Sequence, residues 1–143
     1  MRLEDYKNLP ETMSEEELYS LFSGIIADFD NKKVDKNDFL DILTELMERQ
    51  VLTYAILKEP LITELDNLLC SLWNTENYND VDVMLSLIVS LGLEKSFNKA
   101  KESIAENKDI DKKILQEIQE AIDDTGEHIA NPYYGLQYCA SKI

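Results

Sequence analysis

Helix breakers are scarce in this chain: four glycines and three prolines stand among 143 residues. So few breakers, with so many Leu, Ile, Glu and Lys, favour helices. No segment alternates apolar and polar residues in the manner of a strand. Long apolar runs are missing too. The longest, Val83 to Leu85 and Leu87 to Val89, is split by Ser86 and is too short to span a bilayer. The opening MRLEDYKNLP has no apolar h-region, so a secretory signal is not expected.

The equipment of catalysis is equally thin. Two cysteines, Cys70 and Cys139, lack metal or redox spacing and read as free thiols of a cytoplasmic protein rather than a disulfide. Cys70 lies in LLCSLW, on an apolar face, and is expected to be a buried thiol. There is one histidine, His128. No G-x-S-x-G elbow occurs, no cysteine stands beside a base, and no glycine-rich loop could cradle phosphate. Carboxylate pairs such as Glu117–Glu120 arise by chance among twenty-nine acids and carry no weight. The expectation is a protein that is not an enzyme and needs no cofactor.

Positive charge is the last shortage. Fourteen Lys and Arg face twenty-nine Asp and Glu, a net charge of −15. The acids form no tail but are threaded through amphipathic helices. Such a surface suits a cationic partner and repels nucleic acid and anionic membranes. Apolar residues are 44% of the chain and charged residues 30%, the balance of a globular protein. The length suits one domain over residues 1–143, able to bury about 68–70% of its unfolded surface.

Residues 1–13 read as a lead-in. Ser14 then caps a helix over about 15–29, with Glu17 completing a capping box and Met13 stapled to Leu18. Leu18, Leu21, Phe22, Ile25 and Phe29 give it one apolar face. Asp35 caps a second helix, with Asp38 at N3 and Val34 stapled to Phe39. Its pattern blurs at Arg49–Gln50 and resumes at Val51, as one long kinked helix or two short ones. Pro60 stops it and starts the next, lined by Leu61, Leu65, Leu68, Leu69, Leu72 and Trp73. Trp73 is expected in the core. Residues 74–80 form a polar loop. Residues 81–91 carry only Asp82, Ser86 and Ser90 as a polar stripe and are expected to be the central buried helix. Phe97, Ala100 and Ile104 mark another, to about 106. Asp109 starts the last, with Ile110, Ile114, Leu115, Ile118, Ala121 and Ile122 inward, and Gly126 closes it. The fold class is all-α: a compact bundle or short curved stack of five to seven antiparallel helices.

Three segments invite functional readings. DFDNKKVDKNDF, residues 28–39, has the outline of an EF-hand loop but places Lys33 where glycine is required and Phe39 where glutamate is required, so it reads as a turn. DDTGEH gathers Asp123, Asp124, Glu127 and His128, but without metal-site spacing. Asp123 and Asp124 oppose the helix dipole at a cost of about 0.3–1 kcal/mol each, which suits acids kept for a partner. NPYYGLQY holds three tyrosines in a nonhelical stretch. They form either an exposed interface or a cap folded over the last helices.

A central Trp, the helix VDVMLSLIVSLGL and the closing AIDDTGEHIANPYY together resemble the helical immunity proteins of bacterial polymorphic toxin systems, nearest the immunity protein 30 family, over about residues 35–136. The resemblance implies a cytoplasmic protein that neutralises a cognate toxin domain by binding it. No residue role carries over from the family. The candidate partner-binding residues are Asp123, Asp124, Glu127, Tyr133 and Tyr134. A negative surface fits the cationic groove of a nuclease toxin. The alternative is an acidic helical adaptor with no toxin partner.

Overall fold

The computed structural model describes residues 2–106 and 109–130, apart from the side chain of Glu127. It is all-helical: the described residues form seven α-helices and no strand. The chain sorts into two compact units, residues 1–65 and 66–143, with the boundary inside the fourth helix.

The first unit begins with a helix that sequence periodicity misses. Helix α1 spans Leu3–Lys7, five residues that bury Tyr6. So short a helix is unstable alone, and the Arg49 side chain holds it in place. Helix α2 spans Glu15–Asp30 and opens on the expected capping box. The Glu17 amide donates to Ser14 Oγ at 3.2 Å, and the Ser14 amide donates to Glu17 Oε1 at 3.4 Å. Helix α3 spans Lys36–Val51, where Asp35 accepts the Asp38 amide at 2.8 Å. Residues 31–35, inside the EF-hand-like stretch 28–39, form the turn between them. Lys32 has φ +59°, and the Phe29 and Phe39 rings stack with centroids 4.2 Å apart.

Arg49 and Gln50, where the apolar pattern blurs, are both buried. The Arg49 guanidinium donates to the carbonyls of Leu9, Pro10 and Glu45, each at 2.8 Å, and to Glu45 Oε2 at 3.1 Å. It thereby satisfies carbonyls that follow α1 and fastens the segment the sequence presents as a lead-in. Of the two alternatives for residues 51–57, neither a continued helix nor a second short one forms beyond Val51. Helix α3 ends at Val51, Tyr54 takes φ +55°, and residues 55–58 are nonhelical. A Thr53 and Gln50 network replaces the helical bonds. Thr53 Oγ1 donates to the Gln50 carbonyl at 2.6 Å, and Gln50 Nε2 donates to the Ala55 carbonyl at 3.0 Å.

Helix α4 spans Leu61–Leu72, directly after Pro60. Leu61, Leu65 and Leu69, four residues apart, are its buried line. Cys70 is half-buried rather than buried, because one residue past Leu69 turns it about 100° off that line.

In the second unit, helix α5 spans Tyr78–Leu91 and begins three residues earlier than the apolar run suggests. The reason is Asn77, whose side chain accepts the Asp80 amide at 3.2 Å. Helix α5 buries Val81, Met84, Leu85, Leu87, Ile88 and Leu91, while Asp82 and Ser86 are exposed. Gly92 ends it with φ +71°, a left-handed position that glycine takes without a Cβ clash. Helix α6 spans Glu94–Glu106. Its first turn is capped from α4: Asp66 accepts the amides of Lys95 and Ser96 at 3.0 and 2.8 Å. Helix α7 spans Lys112–Thr125, capped by Asp111 rather than Asp109.

Helices α5, α6 and α7 pack on one another around Val81, Leu85, Ala100, Ile114 and Ile118. Trp73 packs against this cluster, half-buried, and its indole N–H donates to Ser103 Oγ at 2.7 Å. Leu115, expected inward, is 39% exposed, since it lies about 100° around the helix from Ile114.

Candidate functional site

Helices α5 and α7 pack through Val81, Leu85, Ile114 and Ile118, and the faces beside that seam stay wet. Along α5 these are the polar stripe positions Asp82, Ser86 and Ser90. Along α7 they are Glu117, Glu120, Ala121 and Asp124, a helical i, i+3, i+4, i+7 row. The two rows line a groove of about 290 Å³, floored by Leu85 and Val89 and closed by Thr125. Four of its ten described lining residues are carboxylates and none is basic.

The negative field of this groove is felt by a neighbouring group. Tyr78, at the start of α5, donates its hydroxyl to Glu117 Oε1 at 2.7 Å. That hydrogen bond, with lesser contributions from burial and from the charges of Glu117, Asp82 and Glu120, raises the Tyr78 pKa above its ordinary 10.0. Two glutamines hold acids along α7. Gln116 Nε2 donates to Glu120 Oε1 at 3.1 Å, and Gln119 Nε2 donates to Asp123 Oδ1 at 3.0 Å.

The candidates read from sequence are not all brought together. Asp124 lines the groove. Asp123 is exposed but is not among the groove residues. The side chain of Glu127, and all of Tyr133 and Tyr134, lie outside the described residues. His128 is exposed at the end of a 3-10 turn, Gly126–His128. Among the described residues no group of three or more His, Cys, Asp or Glu is placed to hold a metal ion, and no helix is long and apolar enough to cross a membrane.

Sequence reasoning passed over Asp82, Glu117 and Glu120. A signal for them existed: a three-member polar stripe on the most apolar helix, and a matching acidic row on the next strongly amphipathic one. Finding the groove requires knowing that those two helices are neighbours. Comparison of the chain with models of known protein families, with curated proteins and with solved structures finds no match.

Proposed function

We propose that this protein binds a basic protein partner through the α5–α7 groove and inhibits it by covering its cationic surface. The partner of choice is a cognate toxin domain, as the resemblance to helical immunity proteins implies, and the acidic surface favours one of the nuclease class. The observation that supports this most directly is the convergence of Asp82, Glu117, Glu120 and Asp124 on one groove with no basic side chain among them. Four carboxylates on one concave face focus a negative potential. That steers a cationic partner into contact and disfavours nucleic acid. The floor of Leu85 and Val89 offers an apolar strip for the partner's side chains once the charges have oriented it.

The test uses the full chain and any toxin domain found encoded beside its gene. Binding kinetics and protection of growing cells are compared for the native protein and Glu120→Lys/Asp124→Lys. The double variant should lower the association rate by roughly tenfold or more at low ionic strength, and its residual rate should respond weakly to salt. Glu120→Lys/Asp124→Lys that binds and protects like the native chain removes the groove from the interface. A native chain that neither binds nor neutralises that toxin removes the inhibitor reading and leaves the adaptor.

A further inference from the structure

We propose that the turn after α3 is a second docking site, built for a protein segment that carries arginine or lysine beside an aliphatic residue. It lies wholly in the first unit and does not rest on the toxin reading. Among the described residues five large apolar side chains are exposed, and three of them fall within residues 52–56. Leu52 is 46% exposed, Tyr54 66% and Ile56 43%. A solubilising surface has no use for three such residues at alternate positions of one short connection.

The turn's shape gives the same indication. Tyr54 holds φ +55°, a left-handed conformation that bulky residues rarely adopt and that glycine or asparagine would take more readily. The chain keeps an exposed tyrosine there nonetheless. The conformation is fastened from within: Ala55 N–H donates to Thr53 Oγ1 at 3.2 Å, in addition to the Gln50 and Thr53 bonds described above. A turn already held in place loses little freedom when it binds.

Beside this turn is a cavity of about 390 Å³. Its apolar wall is Tyr19, Ile56 and Leu57, and its rim carries Glu15, Glu16 and Glu59 against the single Lys58. Leu52 lines a second, smaller depression of about 210 Å³ with Leu9, Glu11, Glu45, Glu48 and Arg49. In both cavities apolar surface is thus bordered by acids. That combination selects one kind of occupant. An aliphatic side chain fills the wall, and flanking Arg or Lys lay their methylenes along it while their charged heads meet the rim carboxylates. An acidic segment would be repelled, and a basic one without an aliphatic residue would leave the wall wet.

The experiment is a titration of the ¹⁵N-labelled full chain, read by amide chemical shifts, with the capped tripeptide acetyl-Arg-Leu-Arg-amide as probe. Acetyl-Arg-Gly-Arg-amide and acetyl-Glu-Leu-Glu-amide are the comparisons. Saturable shifts should map to residues 15–20 and 50–59, be roughly fivefold weaker in affinity with the glycine peptide, and be absent with the acidic one. Ile56→Ser should weaken the leucine peptide by roughly fivefold. Its exposed position lets the fold persist, as circular dichroism would register. Equal affinity for the leucine and glycine peptides, shifts centred on the α5–α7 groove instead, or an Ile56→Ser variant that folds and binds like the native chain would each overturn the proposal.

Discussion

Removing the Arg49 side chain should loosen the whole N-terminal segment, although the local sequence shows only a blurred apolar pattern there. Its guanidinium is buried and forks to three carbonyls at 2.8 Å, two of them in the connection after α1. Hydrogen bonds to a charged donor are worth about 1.5–3 kcal/mol each, but three made by one side chain do not add. Glu45, its ion-pair partner, is a quarter exposed, so its carboxylate returns to water when Arg49 is gone. What is left is two partly buried carbonyls without their donor and the lost packing of the arginine stem. Arg49→Ala should therefore cost about 2–4 kcal/mol, and Arg49→Lys about half of that, because a single ammonium cannot reproduce the planar fork. Urea unfolding gives the magnitude. Tyr6 gives the location. Its pKa is raised above 10.0, by burial first and by Asp28 and Asp5 second, so a detached α1 would let Tyr6 titrate nearer that ordinary value. An Arg49→Ala loss below about 0.5 kcal/mol, the range of ordinary surface changes, would refute the reasoning. So would a lysine variant indistinguishable from the native protein.

Other outcomes follow from the second unit. Ile118→Ala, at a fully buried position between α5 and α7, should cost about 2–5 kcal/mol by denaturant melt, whereas Leu115→Ala on the exposed face should stay within about 0.5 kcal/mol. Tyr78→Phe should remove one tyrosine that titrates above 10.0, as read by the ultraviolet absorbance of tyrosinate. A raised tyrosine pKa means the folded state holds the proton more tightly. The Glu117 bond therefore stabilises fully below 10.0, and its contribution disappears as pH rises through the folded-state value. Native protein and Tyr78→Phe should then converge in relative stability at high pH. A gap that widens with alkalinity would contradict the bond.

Where a helix announced itself by its own ends, the sequence was readable. Ser14, Asp35 and Gly92 each punctuate the backbone within a turn of their own position, and each does so in the structure. What stayed hidden was set by partners distant in sequence. Helix α1 owes its place to Arg49, some forty residues on, and α6 is capped by Asp66 from another helix. Residues 52–58 kept an apolar rhythm close enough to a helix to be read as one, yet Thr53 and Gln50 offered the backbone a competing set of bonds. The groove was half legible. Asp124 was picked out because it opposes the helix dipole. Glu117 and Glu120 looked like chance in a chain so rich in acid, and only the packing of α7 on α5 gives them company.

The arrangement of α5 and α7 divides labour by angle around the helix. Val81, Leu85, Ile114 and Ile118 face the core, and the groove acids occupy other sectors of the same two cylinders. A change at an exposed helical position moves stability by about 0.5 kcal/mol or less, while a change at the seam costs several times more. The face toward the outside can consequently be rewritten one side chain at a time without renegotiating the fold. A lineage that had to follow a changing adversary would find here a scaffold whose recognition drifts freely while its architecture stands still. Under the proposed function, descendants of this chain should diverge fastest at Asp82, Glu117, Glu120 and Asp124, and slowest at the four residues beneath them.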